Sequence, residues 1–202
     1  MISYTFGMAS RKRDYLLSVA QRLFCTRGFH AVSVDTIIAE AGVARMTVYK
    51  NFASKDDLML ETLRREDKEF RQWLVSTVEK RALRPADRIA AMFDGLHERF
   101  SAAGYYGCPF IRVSVEFPDA SHPVHRMARE HKEMIRSYIR GLVSQLGVAN
   151  PVQVSEQIYL LFEGALAASQ LNGEPWPAEF AKQAALRLIA NTGHSKARAY
   201  GR

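Results

Sequence analysis

The sequence predicts an all-α protein of about nine helices in two units, a small N-terminal one and a larger helical bundle. Apolar residues recur at three- and four-residue spacing along nearly the whole chain, glycine and proline interrupt this pattern at regular intervals, and no segment alternates as a strand does. At 202 residues, with 48% hydrophobic and 24% charged residues, the chain is long enough to fold around its own core.

Three short helices are predicted first. One face of the first helix is apolar, formed by Leu16, Val19, Ala20, Leu23 and Phe24. Gly28 is a suitable end for it, Ser33 is an N-cap candidate for the second helix, and Gly42 ends that helix. The third helix covers about residues 44–52, with Val48 and Phe52 one turn apart on its inward side.

A long helix follows, because Ser54 and Asp57 fit the S-x-x-D form of a capping box and neither Gly nor Pro occurs before about residue 83. Prolines and glycines then mark the remaining helices, which are predicted at 85–103, 109–117, 121–146, 151–171 and 178–191. As domains we expect a disordered N-terminus over 1–9, a helix-turn-helix domain over 10–54, a helical domain over 55–192 and a flexible basic tail over 193–202.

The positive charge is concentrated near the N-terminus. The formal net charge is +7, and residues 1–54 contribute seven Lys or Arg against three acidic side chains, a net +4. Such an excess is typical of a module that binds a polyanion. Charge alone does not distinguish nucleic acid from an anionic membrane surface.

Other function classes find little support. The two cysteines do not form a C-x-x-C pair, and no P-loop, HExxH, GxSxG or GxGxxG is present, so we expect neither an enzyme nor a cofactor. His122, His125 and His131 lie near Glu130 and Cys108 in sequence, but a capping turn next to Pro123 explains His122 better than a metal does. Without a signal peptide or a membrane-spanning segment, we expect a cytoplasmic protein.

The stretch ARMTVYKNFASKDDL, residues 44–58, carries the most specific pattern. A tight Ala-Gly-Val turn precedes it, as in a helix-turn-helix. With Val48 inward, five side chains of the third helix face away from the domain: Arg45, Met46, Thr47, Tyr49 and Lys50. Together with AQRLFCTRGFHAVSVDTIIAEAGV and the Tyr-x-x-Phe-x-x-Lys-x-x-Leu pattern at Tyr49, Phe52, Lys55 and Leu58, this region resembles the TetR family of bacterial transcriptional regulators.

The resemblance implies a DNA-binding regulator, most often a repressor, whose C-terminal domain dimerises and binds a ligand. The DNA-binding residues that it implies are Ser33, Thr36, Ala44, Arg45, Met46, Thr47, Tyr49, Lys50 and Lys55. Of these, Arg45, Met46 and Thr47 would face the major groove of a palindromic or pseudo-palindromic operator, and Ser33, Thr36, Tyr49, Lys50 and Lys55 would contact phosphates. Family members more often have a small residue at the position of Met46, whose thioether could contact a thymine methyl.

For the C-terminal domain, the resemblance implies a homodimer through helices at about 123–146 and 152–171. Its aromatic content favours an apolar or aromatic inducer. The candidate ligand-binding residues are Phe70, Trp73, Met92, Phe93, Leu96, Phe100, Tyr106, Phe110 and Phe117. Two alternatives stay open: a redox-responsive regulator that senses through Cys108, and a helical protein that binds membrane surfaces.

Overall fold

The computed structural model of the chain describes residues 3–193, and it places the side chains of residues 11–192. Within this range the regular secondary structure is entirely α-helical, which confirms the predicted all-α class. Nine helices are formed: α1 (Ser3–Arg27), α2 (Val34–Ala41), α3 (Arg45–Asn51), α4 (Lys55–Arg81), α5 (Pro85–Ser101), α6 (Pro109–Glu116), α7 (Pro123–Ser144), α8 (Pro151–Asn172) and α9 (Trp176–Gly193). None of these helices is both long and apolar enough to cross a bilayer.

Most helix ends fall within two residues of the predicted ones, and the largest difference is at the N-terminus. We expected no order over residues 1–9, but α1 begins at Ser3. The segment has no proline, and extending an existing helix adds one hydrogen bond for each residue fixed. Of the predicted tail, only Gly193 belongs to the described residues, as the last residue of α9.

The chain divides into two compact units. The first unit comprises residues up to Lys68 together with Pro109–Arg129, and the second comprises Glu69–Cys108 together with the chain from Glu130 onward. The chain therefore passes from one unit to the other within α4, before α6 and within α7. These units differ from the domains expected at 10–54 and 55–192, and those boundaries stay a prediction.

The core of the first unit is built mainly from the predicted apolar face of α1. Phe24 stacks on Phe29 with ring centroids 4.9 Å apart, and both rings are fully buried. Ile37 of α2 and Val48 of α3 are buried in the same unit. The capping box forms as predicted at the start of α4: the Ser54 hydroxyl accepts from the Asp57 N–H at 3.0 Å. The Asp57 carboxylate in turn accepts from the N–H of Ala53 at 2.9 Å.

The second unit is a helical bundle in which α9 packs against both α5 and α8. Its large buried side chains come from α4, α5, α7 and α8, and Phe93 of α5 lies 6.2 Å from Phe162 of α8, measured between ring centroids. Small residues on α9 allow its close approach, since Ala178, Ala181 and Ala185 are all buried. An ion pair between Lys182 and Asp94, 2.6 Å long, also joins α9 to α5.

Candidate nucleic-acid interface

The turn between α2 and α3 is fixed by backbone hydrogen bonds. Gly42 adopts a left-handed conformation with φ 63° and ψ 33°, which suits a residue without Cβ. Its N–H donates to the Ala39 carbonyl at 3.3 Å, and the Val43 N–H donates to the Ile38 carbonyl at 3.4 Å. This pair of bonds is the Schellman motif, and it sets the direction in which α3 leaves the turn.

Helix α3 has one buried side and one exposed side. Val48 is 2% exposed, and Phe52, the residue that caps the helix, is also buried. The Arg13 guanidinium lies over the Phe52 ring, 5.2 Å from its centroid, and helps to fix this end of α3. The exposed side is formed by Arg45, Met46, Tyr49 and Lys50, and we call it the α3 outward face.

The α3 outward face exposes large apolar groups beside cationic ones. Met46 is 65% exposed and Tyr49 is 46% exposed. Exposing side chains of this size to water does not stabilise the fold. The Lys50 ammonium forms no ion pair within the described residues. Thr47, which we predicted on the same side, is half-buried.

Arg45 is joined to α2 by an ion pair that the sequence analysis did not anticipate. Its Nη2 donates to Oδ1 of Asp35 at 2.6 Å, and both side chains are more than 60% exposed. Arg45 is the first residue of α3, and Asp35 lies in the first turn of α2. A separation of ten residues in sequence does not predict such an ion pair. The pair forms because the turn brings the N-terminal ends of α2 and α3 close together.

The remaining predicted phosphate contacts already have partners within the first unit. The Ser33 hydroxyl caps α2 by accepting from the Thr36 N–H at 3.0 Å, and it lies 2.9 Å from the Thr36 hydroxyl. Ala44 is exposed and serves as the N-cap residue of α3. Lys55 donates to the backbone carbonyl of His30 at 3.1 Å, and partial burial lowers the pKa of its ammonium.

Two family models match this chain. A model described as bacterial regulatory proteins of the tetR family matches residues 16–62, and a tetracyclin repressor-like C-terminal domain matches residues 85–185. The solved structure of a TetR-family transcriptional regulator from Streptomyces coelicolor is 30% identical to the chain. Its alignment covers 91% of this chain and 96% of that one, with a TM-score of 0.85. The chain belongs to the TetR family.

The curated relatives of this chain include both a transcriptional repressor and a transcriptional activator. The transcriptional repressor NemR of Escherichia coli is 23% identical over 193 residues, which cover 88% of this chain and 94% of NemR. The transcriptional activator FasR of Mycolicibacterium smegmatis is 38% identical over 88 residues, 41% of this chain and 39% of its own length. This chain is therefore a helix-turn-helix transcriptional regulator of the TetR family, and the prediction that it is no enzyme stays a prediction.

The candidate ligand-binding residues are divided between the two units of this TetR-family regulator. Phe110 and Phe117 are buried in the first unit. In the second unit Met92, Phe93, Leu96 and Phe100 are also buried, and Tyr106 is 50% exposed. Phe70 and Trp73 lie together, 5.2 Å between ring centroids. The Arg99 guanidinium is positioned over both rings, 5.3 Å and 5.1 Å from their centroids.

The second unit contains a group of polar side chains that was not predicted from the sequence. We call it the polar cluster, and its members are Tyr105, Cys108, Lys132, Glu163 and Gln170. The Lys132 ammonium donates to Oε2 of Glu163 at 2.6 Å and lies 3.5 Å from the sulfur of Cys108. Gln170 accepts from the Cys108 N–H at 3.3 Å. Gly107 has φ 86°, which strains any residue with a Cβ, and a Cβ there would lie 2.4 Å from the Gln170 side chain and displace it.

Two polar atoms of the cluster are buried without a hydrogen-bond partner among the described residues: the Tyr105 hydroxyl and Oε1 of Glu163. Burial raises the pKa of Tyr105, and the neighbouring Cys108 adds to the shift. Burial, with Glu163 as the next contribution, also raises the pKa of Tyr159 to about 12. These phenols therefore stay neutral donors over the physiological pH range.

The histidines considered for a metal site are in separate surroundings. His122 Nε2 lies 3.6 Å from the Asp56 carboxylate, and His125 Nδ1 lies 2.6 Å from the Phe117 carbonyl. His131 is buried in the second unit, where its ring makes a T-shaped contact with the Phe70 ring, 5.2 Å between centroids. The described residues include no group of three or more His, Cys, Asp or Glu side chains positioned to bind a metal ion.

Proposed function

We propose that this TetR-family chain is a homodimeric repressor that binds a pseudo-palindromic operator and releases it when a small molecule binds the second unit. The observation that carries the DNA-binding part is the α3 outward face. Val48 and Phe52 hold α3 to its core, which leaves Arg45, Met46, Tyr49 and Lys50 exposed on one side. Operator binding would place the protein at the nucleoid, in the cytoplasm.

Duplex DNA suits this face better than a membrane surface does. A helix of this size fits the major groove, where Arg reads guanine and an apolar side chain contacts the thymine methyl. Lys50 and the Tyr49 hydroxyl, both exposed on this face, would contact phosphates beside the groove. A membrane-binding face would need a broad apolar surface. The exposed large apolar groups of α3, as the structure describes it, are Met46 and Tyr49 alone.

For dimerisation we propose α8 and α9, rather than the predicted pair at about 123–146 and 152–171. The residues of α7 that are exposed are polar, charged, glycine or proline. On α8, Leu160, Gly164, Ala167 and Leu171 form an exposed stripe, with Leu160 66% exposed.

The neighbouring surface of α9 extends this stripe. A groove of about 520 Å³ lies between the two helices, lined by Gln157, Leu160, Leu161, Ala184, Arg187, Leu188 and Asn191. An apolar stripe with small residues suits close helix packing across a two-fold axis. Two copies joined in this way would bind half-sites about 34–36 Å apart, or a multiple of that distance.

For the ligand we propose the interior of the second unit, with the polar cluster as its hydrogen-bonding end. The Tyr105 hydroxyl and Glu163 Oε1 need partners, because a buried polar group without one costs about 1–3 kcal/mol. The Phe100 ring lies 5.1 Å from the Tyr105 ring and extends the site with apolar surface. An aromatic or apolar molecule with one donor and one acceptor group meets both requirements.

The same ligand must bind the operator-free conformation more tightly than the bound one. A coupling of about 1–3 kcal/mol corresponds to a change of roughly 5- to 150-fold in operator affinity. We propose repression because NemR, which aligns over most of this chain, is a repressor. FasR, an activator, aligns over less than half of the chain.

A redox-responsive regulator is the second candidate, and the Lys132–Cys108 distance of 3.5 Å favours it. The thiolate sulfur would attack one oxygen of hydrogen peroxide, the O–O bond would break, and a sulfenic acid and hydroxide would result. Peroxide-dependent release of operator from the wild type, absent in Cys108→Ser, would support this candidate over the small-molecule one.

The DNA-binding proposal is tested by selecting genomic fragments on the purified protein and titrating the enriched duplex against random competitor DNA. We expect enrichment of a pseudo-palindrome and binding at least about 10³-fold tighter than to random duplex. Binding to anionic vesicles without any preference among duplexes would contradict the proposal. Addition of candidate aromatic molecules to the bound complex then tests the ligand part.

A further inference from the structure

We infer that Asp35 is a positioning residue for DNA reading: it holds the Arg45 guanidinium in the orientation that binds a guanine edge. The inference rests on the proposed DNA-binding function and adds a residue of α2 to those of the α3 outward face that determine base preference. Asp35 itself contacts Arg45, and its effect on base preference is exerted through that contact.

The two residues are held on short, well-anchored elements. Asp35 follows the Ser33 cap of α2, and buried Ile37 fixes the same helix to the core. Arg45 begins α3 directly after the Gly42 turn, and buried Val48 lies one turn along. The 2.6 Å bond between Arg45 Nη2 and Asp35 Oδ1 therefore joins two side chains whose backbones are already fixed.

Fold stability does not account for this pair. Side chains that are 63% and 65% exposed form ion pairs whose attraction is largely screened by water and salt. The carboxylate also stands two residues from Ser33 and one from Thr36, on the surface that would approach phosphates. Asp35 lies in the first turn of α2, where a carboxylate interacts favourably with the helix dipole. A negative charge there also opposes DNA binding in general, and the bond to Arg45 gives the carboxylate a second effect, on the orientation of the guanidinium.

The geometry of arginine supplies that effect. The guanidinium has five N–H donors in a planar fork, and the bond to Asp35 uses one of them at Nη2. Fixing one edge of the fork limits rotation of a long, exposed side chain, while other donors stay available for O6 and N7 of guanine. Less conformational freedom is then lost when the base is bound.

The chain offers a matched control on the same helix. Glu40, near the other end of α2, pairs with Arg22 of α1 and is also part of an exposed ion pair. Arg22 is not part of the α3 outward face. Glu40→Gln therefore removes one acid from α2 and breaks one Arg ion pair without changing the environment of Arg45.

The test compares wild type, Asp35→Ala, Arg45→Lys, the double variant and Glu40→Gln on the selected operator, on operators with each guanine replaced, and on random duplex. Asp35→Ala removes both the charge and the acceptor oxygen, so we expect it to reduce the preference at one guanine by about fivefold or more while it tightens binding to random duplex. Arg45→Lys should lose the same preference, and adding Asp35→Ala to it should change that preference no further. Glu40→Gln should keep the wild-type preference, and circular dichroism should show every variant folded.

Three results would overturn the inference. Equal tightening on the operator and on random duplex would mean that Asp35 acts only through its charge. Unchanged base preference in Asp35→Ala, with Arg45→Lys affected, would mean that Arg45 needs no positioning. Failure of the wild type to prefer any duplex would overturn both this inference and the proposed function, and is recognised by the absence of an enriched sequence.

Discussion

The backbone N–H of His30 donates to the Glu116 carboxylate, with 2.7 Å between the nitrogen and Oε2. The His30 ring also reaches the Glu116 carbonyl at 2.7 Å and stacks on Phe117, with centroids 4.3 Å apart. Since Lys55 donates to the His30 carbonyl, three elements of the first unit meet at His30: the loop after α1, the start of α4 and the end of α6. The chain enters α6 directly from Cys108 of the polar cluster.

Glu116→Ala should therefore destabilise the protein. It removes the acceptor of the His30 N–H, and a lost hydrogen bond of this kind costs about 0.5–1.5 kcal/mol of unfolding free energy. Urea titration followed by circular dichroism measures the change. Glu116→Gln keeps an acceptor oxygen and should recover most of the loss, so an unchanged midpoint in Glu116→Ala would contradict the role given to this contact.

Lys50 and Lys55 were both predicted to contact phosphates, but only Lys55 also holds a backbone carbonyl of the first unit. Lys50→Ala should weaken binding to all duplexes alike and reduce the slope of log K against log salt by about one unit. Lys55→Ala should also lower the melting temperature, because its ammonium holds the His30 carbonyl. Salt titrations of DNA binding and thermal melts check both variants, and a stability loss in Lys50→Ala alone would reverse the assignment.

Tyr105→Phe should stabilise the ligand-free protein by about 1 kcal/mol, because it removes a buried hydroxyl that has no hydrogen-bond partner. The same variant should respond less to an inducer that releases the wild type from DNA. Thermal melts without ligand and operator-release titrations measure the two effects. Tyr15→Phe, at an exposed tyrosine of α1 outside the candidate ligand-binding residues, is the control and should leave both unchanged. A destabilised Tyr105→Phe would contradict the proposed ligand contact.

Leu160→Glu should convert the dimer to a monomer, since it places a charge in the apolar stripe of α8. Leu83→Glu, at an even more exposed leucine outside α8 and α9, should stay dimeric. Sedimentation velocity distinguishes the two states. A dimer that survives Leu160→Glu but is lost in Arg129→Glu would instead support the α7–α8 interface that the sequence suggested.

Features set by neighbouring residues could be predicted from the sequence. The end of α2 at Gly42, the cap formed by Ser54 and the inward positions of Val48 and Phe52 each depend on residues within about one helical turn. The same spacing argument predicted exposure of Arg45, Met46, Tyr49 and Lys50 correctly.

Contacts between segments that are distant in sequence could not be predicted from residue spacing. The His30–Glu116 bond joins residues 86 positions apart, and the Lys132–Glu163 pair joins residues 31 apart. Both form because segments that are distant in sequence pack together, and the residue types at these positions do not indicate which partner they will meet. Aromatic content alone likewise grouped Phe110 and Phe117 with side chains of the second unit, although they belong to the first.

The central claim is that the α3 outward face reads duplex DNA, and parallel fragment selections with wild type and Met46→Ala test it most directly. We predict that the wild type enriches one pseudo-palindrome. Met46→Ala should enrich the same sequence with preference relaxed at a single base step, by about 1 kcal/mol or more. No enriched sequence for the wild type, or equal losses of Met46→Ala on cognate and random duplex, would contradict the claim.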